Sequence, residues 1–138
     1  MKRTLASILG LVILVALVPA AHAAERCTAA TLRGNYGFTF SGFVQDQTGN
    51  NVPFSGIGLA TLDGESNASA TITVSVNGTL QVFPWTGTYT VNPDCTGSAT
   101  STNGNADFSF VIVRGGTEFM GVATNPGDTW TIDFKKID

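Results

Sequence analysis

Few side chains in this 138-residue chain can do covalent, acid–base or metal chemistry. There are two cysteines, Cys27 and Cys95, one histidine, His22, and ten acidic residues. Asp107, Glu118 and Asp133 fall within apolar–polar alternations, where a carboxylate faces water. Asp63, Glu65, Asp94 and Asp128 fall in clusters rich in Gly, Asn and Pro, where an aspartate ordinarily accepts hydrogen bonds from its own turn. Neither placement makes the facing carboxylate pair that acid–base catalysis needs, so no catalytic residue is assigned. Asp63-Gly64-Glu65-Ser66-Asn67 is acidic like a calcium loop but lacks the ligand order and closing glutamate of an EF-hand, and it reads as a solvated turn. No metal or other cofactor is expected.

The N-terminal segment narrows the chemistry again. Met1-Lys2-Arg3 is a short positive region, Leu5 to Val18 is an uncharged apolar run, and Pro19-Ala20-Ala21-His22-Ala23 supplies a helix breaker and an Ala-x-Ala cleavage site. Residues 1–23 therefore read as a secretory signal peptide, the run being shorter than the roughly 20 residues of a spanning helix. Cleavage after Ala23 removes His22, and with it any Ser-His-Asp triad or His-based metal site. It also removes Lys2 and Arg3. Five of the seven basic residues then face ten acidic ones, a net charge of −5 with no basic track for nucleic acid. The expected location is secreted or periplasmic, with no membrane attachment of the mature form.

In an oxidising compartment Cys27 and Cys95 read as a disulfide pair, the alternative being two buried free thiols; a zinc site would need more ligands than the chain offers.

The elements that must position these groups follow a period of two. Ala68, Ala70, Ile72, Val74 and Val76 alternate with Ser, Thr and Asn, and then run into Asn77-Gly78, the dipeptide of a tight hairpin. Tyr36, Phe38 and Phe40 alternate in the same way, as do Phe108, Phe110 and Ile112, and Trp130, Ile132 and Phe134. Clusters of Gly, Pro, Asn and Asp separate these runs. The pattern predicts eight or nine strands, near 34–44, 52–62, 68–76, 79–83, 86–91, 97–102, 106–114, 118–124 and 129–136. Pro84 is expected to break what would otherwise be one long strand. No spacing is long enough for a crossover, so the expected fold is all-β: a small antiparallel up-and-down barrel filling residues 24–138 as one domain, with a β-sandwich as the alternative. The immunoglobulin version of the sandwich fits poorly, because Tyr89 lies six residues before Cys95 and position 93 is proline.

Two stretches, Cys27-Thr28-Ala29-Ala30-Thr31-Leu32-Arg33-Gly34-Asn35-Tyr36-Gly37-Phe38 and Gly87-Thr88-Tyr89-Thr90-Val91-Asn92-Pro93-Asp94-Cys95-Thr96-Gly97, resemble a group of uncharacterised secreted bacterial proteins. Leu59-Ala60-Thr61-Leu62-Asp63-Gly64 fits the first hairpin of the same group, so the resemblance spans nearly the whole mature chain. It implies no activity. More distantly, the pattern resembles the calycin-like barrels of allene oxide cyclase and dirigent proteins, which implies an apolar interior; no catalytic residue of those families maps onto this chain.

An eight-stranded barrel is about wide enough to be filled by its own side chains or to hold one small ligand. Large Tyr36, Phe38, Phe40, Phe108 and Phe110 against small Gly56, Gly58, Ala60, Gly121 and Ala123 suit a dry packed core. Should a pocket exist, Tyr36, Trp85, Tyr89 and Trp130 are the candidates to line it, each joining an apolar body to a polar tip. The partners these readings imply are a small apolar molecule in the barrel or an extracellular partner on a solid barrel's Thr/Ser-rich exterior. A cyclase or isomerase acting by shape in an apolar pocket is a third reading. The leader itself predicts that exported protein begins at Ala24; N-terminal sequencing that still finds Leu5 to Val18 would contradict it.

Overall fold

A computed structural model describes residues 26–104 and 106–137. The leader and its cleavage site lie outside the described residues. Eight antiparallel strands follow one another around a closed barrel: β1 (Gly34–Gln45), β2 (Asn51–Leu62), β3 (Asn67–Val76), β4 (Thr79–Val91), β5 (Thr96–Ser101), β6 (Phe108–Val113), β7 (Glu118–Ala123) and β8 (Thr131–Ile137). Closure is made by β1 and β8, paired from Asn35 opposite Ile137 to Ser41 opposite Thr131. The up-and-down barrel is therefore the fold, and the sandwich is not adopted.

The turns form where their residue types permit. Asn77 and Gly78 both take positive φ (48° and 84°), the requirement of a two-residue type I′ hairpin whose twist matches the strands on either side. The β1–β2 and β4–β5 hairpins share a different design. In each a tight turn is followed by one left-handed residue, and the flanking pair is bonded from Asp46 N–H to Asn50 O (2.9 Å) or from Asn92 N–H to Thr96 O (2.8 Å). Gly49 fills the left-handed position in the first (φ 83°), whereas Cys95 fills it in the second (φ 69°). A side chain at such a φ costs about 1–2 kcal/mol, so a cysteine stands here for its sulfur and not for its backbone preference.

The sulfur bonds Cys27, 68 residues earlier, with the two Cα atoms 5.0 Å apart. The 3₁₀ turn that follows Cys27, Ala29–Leu32, lies across one end of the barrel and buries Leu32 completely. A second short turn, Arg114–Gly116, meets it there, and a Cβ on Gly116 would collide with the Thr31 carbonyl. The disulfide thus pins an end plug to the β4–β5 hairpin.

One expectation is corrected. Residues 79–83 and 86–91 are a single strand of thirteen residues that runs through Pro84, so there are eight strands and not nine. Tyr89 N–H bonds Ser66 O (2.8 Å), and the alternation along β4 then turns the even-numbered residues toward β5. β5 pairs only with Gly87–Val91, so the nitrogen of Pro84 faces an open edge and no ladder bond is lost.

Both cysteine variants, Cys27→Ser and Cys95→Ser, should lose a similar stability, on the order of 4 kcal/mol for a loop of this length, and the double variant little more. Cys95→Gly should retain about 1 kcal/mol more than Cys95→Ala, because glycine relieves the left-handed strain. Thermal or urea denaturation measures each difference; additive losses from the two serine variants would show that the cysteines act independently.

Candidate functional site

The interior is built from two unlike walls. β1, β6, β7 and β8 send in Phe38, Phe40, Phe108, Phe110, Phe119, Ile132 and Phe134, all buried, with Phe119 stacked on Phe134 at 4.1 Å and Phe38 4.9 Å from Phe134. Opposite these rings the chain places residues with little or no side chain. Gly58 is paired with Phe38, Gly56 with Phe40 and Gly97 with Phe110, and a Cβ on any of the three glycines would run into the ring it faces. Gly87 leaves the same room for Trp85 two residues before it on β4.

Where the small residue opposite an aromatic one is alanine, space remains. A cavity of about 70 Å³ is lined on one side by Ala60, Ala70 and Ala99 and on the other by Phe38, Phe108 and Phe134. No buried charged or polar residue occurs among the described residues, and none of their buried side-chain polar atoms lacks a hydrogen-bond partner. The end plug closes one end of the barrel. At the other, hairpin end the wall reaches the surface through Phe54, Phe83 and Ala106, which are only partly buried or exposed.

Three of the four residues singled out from sequence meet at this cavity, namely Trp85, Tyr89 and Trp130. Trp130 packs near Phe40, Phe54 and Phe108 (6.4, 6.1 and 6.1 Å between ring centres) and donates its indole N–H to Asp128 Oδ2 at 3.4 Å. Tyr89 forms part of the floor. Its hydroxyl accepts from Gly64 N–H (2.9 Å) and donates to Ala29 O (3.3 Å), so its polar tip points into the plug and away from the cavity. Tyr36 is not in the wall: it lies at the closed end, edge-on to Phe119 at 5.1 Å, and its hydroxyl donates to Gly116 O at 2.7 Å. Burial, reinforced by the neighbouring Tyr89, pushes the Tyr36 phenol up to about 12. Burial also raises Tyr89, against the pull of the Gly64 N–H. Both phenols are neutral at physiological pH and serve as hydrogen-bonding struts. Sequence reading passed over Phe54 and Phe83; the signal available was their even spacing from Gly56 and from Trp85 on the inward face.

The carboxylates are occupied locally. Asp63 accepts from the N–H groups of Glu65, Ser66 and Asn67, which holds it down at about 2, and Asp94 is lowered by the hydroxyl and N–H of Thr96. Asp107 accepts from Ser101 N–H at 2.8 Å, and Glu118 pairs with Arg114 at 3.3 Å. Among the described residues no three His, Cys, Asp or Glu side chains gather as a metal site. No protein-family model and no curated protein matches the chain.

If the missing Cβ atoms set the ring positions, Gly58→Ala should cost about 1–3 kcal/mol by overpacking. Adding Phe38→Leu should return part of that loss, which a denaturation double-mutant cycle would measure as a favourable coupling.

Proposed function

We propose that the protein binds a small uncharged apolar molecule, or the apolar end of a larger one, inside the barrel. The observation that carries this reading is the 70 Å³ cavity with its wall of alanine and aromatic side chains. A space of that size has room for water but offers it no hydrogen-bond partners, and apolar cavities of this kind stay dry and accept apolar guests; one of about 150 Å³ takes benzene or xenon. At about half that volume the cavity suits xenon as it stands. A small ring or alkyl end would need the rim residues Phe54 and Phe83 to shift, which their partial exposure permits.

The Cys27–Cys95 bond supports a location outside the cytoplasm, where such bonds persist, and so favours the secreted or periplasmic reading of the leader. The resemblance to calycin-like barrels, which implies an apolar interior, agrees with binding there. The second reading, a solid barrel that meets an extracellular partner through its surface, is favoured by exposed Val111, Met120 and Val122, adjacent on the outer face of β6 and β7.

Two protein samples separate these readings. In the native protein, xenon and benzene should raise the melting temperature in proportion to the logarithm of their concentration and shift amide resonances around Ala70. In Ala70→Leu, whose side chain enters the cavity opposite Trp85, both responses should vanish while the fold persists. No response in the native protein would favour the solid barrel, and a response that survives in Ala70→Leu would place the binding elsewhere.

A further inference from the structure

At the hairpin end of the barrel β4 outruns its neighbour. It is thirteen residues long, but β5 pairs with it only over Gly87–Val91. On the free stretch the odd-numbered residues direct their main-chain groups to β3, and the even-numbered ones direct theirs outward. The β5–β6 loop covers the inner part of this edge. Thr86 N–H bonds Asn103 Oδ1 (3.0 Å), Thr86 O accepts from Thr102 N–H (2.8 Å), and Pro84 O accepts from Asn103 Nδ2 (3.0 Å). Pro84 has no N–H. What remains is Leu80 and Val82, whose two N–H and two C=O groups have no partner among the described residues.

Their side chains are uncovered as well, Leu80 being 70% and Val82 66% exposed. Edges of this kind are ordinarily guarded by a lysine, an inward charge or a bulge. Here the chain carries no charged residue from Ser66 to Pro93, although its acidic residues outnumber its basic ones. A second copy approaching this edge meets hydrogen-bonding groups and apolar side chains, and neither β3 nor β4 brings a like charge against it.

We propose that this edge pairs antiparallel with the same edge of a second copy, the two-fold axis passing at Gln81. Opposed residues in an antiparallel ladder alternately exchange two hydrogen bonds or none. With Gln81 on the axis, Leu80 exchanges both bonds with Val82 of the partner subunit, and Val82 does the same with Leu80 of the partner subunit. All four free groups on each copy are then used. Moving the axis to Val82 would set Leu80 against Pro84 of the partner subunit, which has no N–H and whose carbonyl is already held by Asn103. Pro84 therefore stops the register from sliding, and self-complementarity selects a copy of this chain over an unrelated strand. On the outer face Leu80 and Val82 of the two copies form one apolar cluster. The paired stretch is short, so the interface falls below the roughly 1,200 Å² of stable complexes and the dimer is weak. This inference does not depend on the cavity's being occupied.

Sedimentation equilibrium from about 10 μM to about 1 mM should show a concentration-dependent monomer–dimer equilibrium. Val82→Pro and, as a second variant that keeps the strand geometry, Val82→Lys should both stay monomeric with an unchanged circular dichroism spectrum. Under mild oxidation Gln81→Cys should form a covalent dimer, because residue 81 faces its own copy at a Cα separation near 4.5 Å, within disulfide reach. Leu80→Cys should cross-link at least tenfold more slowly. A native protein that stays monomeric with equal cross-linking of the two cysteine variants overturns the proposal, as does a dimer that survives both Val82 substitutions. Monomeric protein that instead takes an extended threonine-rich peptide onto Leu80 and Val82, seen as amide shifts there, would assign the edge to a foreign strand and overturn self-pairing.

Discussion

Everything inside this barrel depends on the pairing of an aromatic ring with an absent side chain. An eight-stranded barrel has an interior only about one layer of side chains across, and rings from β1, β6, β7 and β8 would overfill it if the opposite strands carried ordinary residues. Gly56, Gly58, Gly87 and Gly97 remove that conflict where Phe40, Phe38, Trp85 and Phe110 occupy the space a Cβ would take. Aromatic cover over glycine also keeps those strand positions from being exposed and weakly packed. The cavity is the remainder of this arrangement. It is found where alanine, which neither admits a ring as glycine does nor fills the space as leucine would, faces the aromatic wall.

The two ends of the barrel are built for different purposes. At one end the turn Ala29–Leu32 seats Leu32 in the interior, two buried tyrosine hydroxyls bond main-chain groups of the plug and the adjoining turns, and the Cys27–Cys95 bond holds the segment down. Each of these contacts joins residues far apart in sequence, so the plug fixes the relative positions of β1, β4 and β7. At the other end β1 to β4 are ten to thirteen residues long, against six or seven for β5 to β8. The long strands project past the short ones, which leaves Phe54 and Phe83 at a partly open rim and the main-chain groups of Leu80 and Val82 on the β4 edge without a partner among the described residues. The partly open rim and the unpaired stretch of β4 are thus both at the end away from the Cys27–Cys95 bond.

What the chain's sequence determines by itself is whatever depends on neighbours along it. A period of two in Ala68–Val76 requires a strand with one buried face, Asn77-Gly78 requires a tight hairpin because both residues tolerate positive φ, and the lack of room for crossovers requires antiparallel order. The all-β class and the antiparallel meander were legible on those grounds, and the pairing of Cys27 with Cys95 followed from the leader and from there being two cysteines. The tertiary structure decided whatever depends on register between distant strands. Whether Pro84 breaks a strand turns on where β5 ends. Tyr36 and Tyr89 share an aromatic-and-hydroxyl chemistry, yet one is held behind Phe119 and the other floors the cavity, because the height of each in the barrel is set by pairing with β2, β3 and β8. The space itself is a difference between the volumes of side chains contributed by six or more strands, a quantity that no local stretch of sequence contains.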